Sequence, residues 1–215
     1  MSLRALLPTL LALTVSASSL SADLIVLGDS GWTVETVGTR VDLAVAVLEV
    51  DRDLDFIRIE IDKNYGPVIW DGDEADFPVA HMRFTRTSPG VEPVGTIIID
   101  NEDIHNGTGL AWSLFRWDIF EGSAAFDAAA SGGWDVTPQF DGWDPYIPGG
   151  GGYRTIAASG GPGLADGSDF NPSGGLVIDA DGDFTLKQQV LPEPASLVLV
   201  AVGALLAVLR KRSAR

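Results

Sequence analysis

The 215-residue chain has no cysteine and only two histidines. Without thiols there can be no disulfide staples, no cysteine-ligated zinc, no iron–sulfur cluster and no thiolate nucleophile. Basic residues are also scarce: 14 Lys and Arg face 30 Asp and Glu, a net charge of −16 with both histidines neutral. Phosphate contacts need a basic face, so no nucleic-acid partner is expected. Five of the 14 basic residues, Arg4, Arg210, Lys211, Arg212 and Arg215, stand in the terminal tails. Between Asp23 and Leu191, nine basic residues meet 29 acidic ones, a balance of −20.

Long apolar runs are missing as well, and the two short ones lie at the ends. Residues 1–22 carry Arg4, an apolar stretch from Ala5 to Val15 and a small-residue exit, Ser16 to Ala22. Those are the three parts of a secretory signal peptide, and the core is too short for a stable span of about 20 residues. Cleavage is placed after Ala22, with a site nearer Ala17 or Ser19 as the alternative. At the other end, residues 191–215 hold Pro192-Glu193-Pro194, an apolar segment and Arg210-Lys211-Arg212. The prolines bar a helix from running back into the body, so a helix can begin at Ala195. Residues 195–209 would rise roughly 22 Å, a short transmembrane helix that works if its basic end snorkels. The positive-inside rule leaves that end in the cytoplasm and everything before Pro192 outside.

Pro192, Glu193 and Pro194, the apolar helix and the closing Arg210, Lys211 and Arg212 together resemble the PEP-CTERM sorting signal of Gram-negative bacteria that make exopolysaccharide. The resemblance covers about the last 25 residues. It implies an exosortase-type membrane protease as partner, a transient stay in the inner membrane through the C-terminal helix, and delivery to the cell envelope, outer surface or extracellular matrix. It supplies an address and no activity.

The body, residues 23–190, reads as one domain. Ile57, Ile59 and Ile61 alternate with Arg58, Glu60 and Asp62, the period of a half-buried strand. Similar stretches cover Trp32 to Val37, Val41 to Val50, Val79 to Thr85, Val94 to Asp100, Leu110 to Phe120, Tyr153 to Ala157 and Asp183 to Gln189. Turn signals separate them, and only Ala124 to Ala130 offers a helical turn or two. The predicted fold is all-β: a single antiparallel β-sandwich, jelly-roll or Ig-like. Thirteen of the 25 glycines fall between Gly132 and Gly175 among several prolines, which predicts long Gly/Pro-rich surface loops there.

Candidate sites are few. Leu24 to Ser30, an apolar strand ending in Gly28-Asp29-Ser30, resembles the nucleophile string of GDSL esterases, but neither His81 nor His105 stands in the Asp-x-x-His block such enzymes use. A secreted serine esterase using Ser30 is therefore the alternative, against a plain strand and turn. Asp179, Asp181 and Asp183 imitate the start of a calcium loop, yet Phe184 and Val190 occupy the positions where an EF-hand needs Gly and Glu. A looser Ca²⁺ site stays open, and with it a calcium-stabilised adhesion module; no other cofactor is implied. Four Trp-Asp pairs at spacings of 47, 17 and 9 residues do not fit propeller repeats. Trp134, Asp135, Trp143, Asp144 and Tyr146 could stack on and hydrogen-bond a sugar, or fold back as a satellite core. The leading expectation is an acidic, exported, non-catalytic protein with a structural or interaction role, binding exopolysaccharide if anything.

Overall fold

The computed structural model describes residues 23–71, 74–87, 91–146 and 154–192. The signal peptide (residues 1–22), the helix 195–209, and Glu193, Pro194, Arg210, Lys211 and Arg212 lie outside the described residues. Among the described residues no helix is long and apolar enough to cross a membrane.

The body is all-β. One sheet holds seven strands: β1 (Asp23–Val26), β2 (Trp32–Thr39), β7 (Val79–Arg86), β15 (Phe184–Pro192), β9 (Trp112–Phe120), β12 (Thr155–Leu164) and β11 (Gly142–Tyr146), in that spatial order. The other runs β10 (Ala125–Phe126), β14 (Ser173–Asp179), β8 (Thr96–Asn106), β4 (Phe56–Tyr65) and β3 (Val41–Asp51), with β13 (Asp169–Phe170) also on β8. A small hairpin joins β5 (Ile69–Asp71) to β6 (Glu74–Asp76). The two large sheets share one core, an arrangement compatible with a β-sandwich. Tyr65 from β4 meets Trp112 and Phe115 from β9 edge-on, at ring separations of 5.3 and 5.9 Å.

Two expectations need correction. Pairing is not wholly antiparallel, because β4 and β8 run parallel. Parallel neighbours require a long crossover, and here the chain leaves the sheet after β4, forms β5, β6 and β7, and returns. The Gly/Pro-rich region carries the strands β11, β12 and β13 and the start of β14, with loops between them. Its glycines work as bulges, with Gly160, Gly161 and Gly163 at positive φ inside β12. Finally, Ala124 to Ala130 forms the short β10 and a turn, and only one 3₁₀ turn follows at Ala130–Gly133.

Alternation decides what enters the core. Along β4, Ile57, Ile59, Ile61, Lys63 and Tyr65 face inward. Along β8, Ile97 and Ile99 face inward, and an extra residue near Asp100 then reverses the parity. Glu102, Ile104 and Asn106 thus turn inward, since a one-residue slip flips every later side chain. The result is a buried polar cluster between the sheets. Lys63 Nζ lies 2.5 Å from Glu102 Oε1 and also donates to Gln188 Oε1. Gln188 Nε2 and Trp117 Nε1 donate to the two oxygens of Glu102 at 2.8 and 2.9 Å.

Candidate functional site

The sequence-predicted positions are scattered. Gly28, Asp29 and Ser30 build the tight turn between β1 and β2: Ser30 N–H donates to the Leu27 carbonyl, and Gly28 takes φ +60°. Ser30 is fully buried, and its hydroxyl accepts the Trp32 N–H at 3.2 Å. Neither histidine bonds to it: His105 Nδ1 pairs with Asp169 at 2.7 Å, and the His81 ring sits edge-on to Phe120 at 5.6 Å.

Trp134 is a core residue, 4% exposed and edge-on to Trp117 at 4.8 Å. Trp143, on β11, packs over it and donates its indole N–H to the Trp134 carbonyl at 3.0 Å. Asp135 accepts the Thr137 N–H at 2.8 Å, and that bond holds its carboxyl below the ordinary range. Asp144 is exposed opposite Ala157, and Tyr146 pairs with Thr155 in the β11–β12 register. The two indoles are brought together, but against the core rather than on an open face.

Asp179, Asp181 and Asp183 flank the turn between β14 and β15. There Arg86 donates its backbone N–H to Asp183 at 3.0 Å and its guanidinium to the Asp181 carbonyl. Burial, then Asp127 and Asp181, push the Asp179 carboxyl above the ordinary range. Among the described residues no three His, Cys, Asp or Glu side chains form a group able to hold a metal ion. Pro192, the first residue of the sorting string, closes β15 opposite Trp112.

Sequence reasoning missed two surfaces, both created by register. On the outer face of the six-stranded sheet, Asp42, Asp62, Asp103 and Asp169 line a shallow groove of about 430 Å³ with Asn64 and His105. On the outer face of the seven-stranded sheet, a groove of about 620 Å³ crosses β7, β15, β9 and β12. One row runs His81, Lys187, Asp118, Thr155, each opposite the next. Arg116 and Arg154 join it, so three of the body's nine basic residues stand together. Asp118 is engaged by Arg116 Nε and Thr155 Oγ1, both at 2.8 Å. Arg154 reaches the Glu121 carbonyl at 3.1 Å. Lys187 makes no ion pair among the described residues. Burial, and then the Lys187 charge, lower the His81 pKa. Its Nε2 is buried without a hydrogen-bond partner. Phe120, 37% exposed, gives the groove an apolar side. Only the alternation of β9 and β15 hinted at this set, and strand order was needed to join them.

The described residues form an all-β body, strongly acidic, with a cleft where Lys187, Arg116 and Arg154 stand beside Asp118 and Glu121. No family model matches the chain, and neither the curated proteins nor the solved structures contain a match.

Proposed function

We propose that the protein is an exported, non-catalytic module of the cell envelope or extracellular matrix that holds an acidic exopolysaccharide in the groove over β7, β15, β9 and β12. The observation that carries the ligand is charge contrast: Lys187, Arg116 and Arg154 outnumber Asp118 and Glu121 in one cleft of a body whose balance is −20. Carboxylate-bearing sugars suit such a cleft, with cations for the acid, Phe120 and His81 for the ring faces, and Thr155 and Asp118 as polar groups for the hydroxyls. Its volume lies within the range of about 300–1,000 Å³ usual for ligand pockets. The body is read as a sandwich of jelly-roll or Ig-like kind.

Sorting belongs to the same proposal. The Pro192-Glu193-Pro194 string begins at the last residue of β15, at the end of the folded body, which supports a reading in which a membrane helix over residues 195–209 and an exosortase-type protease act beyond it. Mass spectrometry of the mature protein tests this half, and an intact Arg215 in cells with active exosortase counts against processing.

The ligand half is tested with the full chain on immobilised polygalacturonate and on a neutral glucan. Retention on the acidic polymer alone, weakening with salt, is expected. Lys187→Glu should cut affinity roughly tenfold, equivalent to about 1.4 kcal/mol. Equal binding by that variant, or equal retention on both polymers, would remove the reading.

A further inference from the structure

The polar cluster in the core plays no part in the envelope proposal. Burying a lysine, a glutamate and a glutamine together is costly, and apolar residues could fill the same space. What distinguishes the cluster is its chemistry. An amine rests against a carboxamide, and a single carboxylate oxygen touches both nitrogens. Lys63 is 2% exposed, Glu102 2% and Gln188 fully buried, so water is kept out. Phe115 covers the lysine head, with Nζ 5.6 Å from its ring centre, and the Trp117 indole N–H fixes the far oxygen of Glu102.

We propose that Lys63 and Gln188 form an intramolecular amide cross-link, Nζ to Cδ, with Glu102 as the proton relay and ammonia as the leaving group. Burial lowers the Lys63 pKa and outweighs the opposing effect of Glu102, which favours the neutral, nucleophilic amine. The Nζ lone pair attacks Cδ of Gln188 and a tetrahedral carbon forms. Glu102 Oε1, 2.5 Å from Nζ and 2.8 Å from Nε2, takes one proton from Nζ and delivers it to Nε2. The Cδ–Nε2 bond then breaks and ammonia departs. One C–N bond is made and one is broken, Glu102 is regenerated, and neither oxidant nor reductant is required. Fixing amine and amide side by side supplies the effective concentration, up to about 10⁵ M or more for well-oriented groups, that this slow exchange needs.

The cross-link would join β4 in one sheet to β15 in the other, across 125 residues of sequence. In a chain without cysteine it would be a covalent staple independent of redox conditions.

The test is peptide mass spectrometry on the full chain, purified folded and then denatured and digested. The expected product is one branched peptide containing Lys63 and Gln188, lighter than its two parts by one ammonia, with no trypsin cleavage after Lys63. Glu102→Gln and Lys63→Met should each abolish the branch. Lys187 precedes Gln188, so trypsin places Gln188 at a peptide terminus where cyclisation also sheds ammonia; ammonia loss without a branch therefore overturns the proposal. Separate, unmodified Lys63 and Gln188 peptides from folded wild-type protein overturn it too, whatever the variants do. A branch that persists in Glu102→Gln removes Glu102 from the relay role and overturns the proposed chemistry.

Discussion

Asp179 ends β14 with Asp127 and Asp181 nearby, and burial and those charges hold its carboxyl above the ordinary 3.8. A raised folded-state pKa means that the native state binds this proton more tightly than the unfolded chain. Its contribution is fully present below pH 3.8 and lost as pH rises through the folded value. At neutral pH the ionised group is thus a burden. Asp179→Asn should raise stability at pH 7 by no more than about 1 kcal/mol, with the advantage closing as pH falls. Urea midpoints of the two proteins at pH 7 and pH 3 check this. At the same scale, Gly28-Asp29-Ser30 is good chemistry for a tight turn, and the buried Ser30 hydroxyl serves that turn by accepting the Trp32 N–H. Lys63 could have been found. The alternation of Ile57, Ile59 and Ile61, carried one step further, sends it inward. Glu102 could not, because the added residue near Asp100 that turns it leaves no mark in the pattern of β8.

Strands that alternate were readable, and those that depend on glycine were not. β4, β7 and β15 carry apolar residues at period two, and their expected spans lie within one to three residues of the observed ends. β14 was invisible because Gly174 and Gly175 read as loop. Both take positive φ, +91° and +89°, in a bulge where Ser173 pairs with Asn101 and Leu176 with Ile99. A Cβ on Gly174 would drive into the Gly133 carbonyl. Gly174→Ala should cost about 1–3 kcal/mol from backbone strain alone, more if the 3₁₀ turn is displaced. Thermal unfolding read by circular dichroism would show the loss. An unchanged midpoint would mean that the bulge relaxes freely.

For the molecule as a whole, strand order was the hidden quantity. The row of His81, Lys187, Asp118 and Thr155 draws on four strands spread over more than a hundred residues, and the parallel pairing of β4 with β8 exists only because the intervening chain visits the opposite sheet. Covalent closure between Lys63 and Gln188 would remove denatured-state entropy worth about 5 kcal/mol for a loop of 125 residues. Gln188→Met, which keeps the volume but cannot form the bond, should therefore unfold at markedly lower denaturant than wild type.

The place of β15 bears on how the body carries mechanical load. It is the fourth of seven strands, held by β7 along one side and by β9 along the other. Tension applied at Pro192 would enter the middle of that sheet and have to shear both ladders together, whereas a rim strand would peel away one hydrogen bond at a time. Resistance to such a pull is set by the unfolding rate rather than by equilibrium stability.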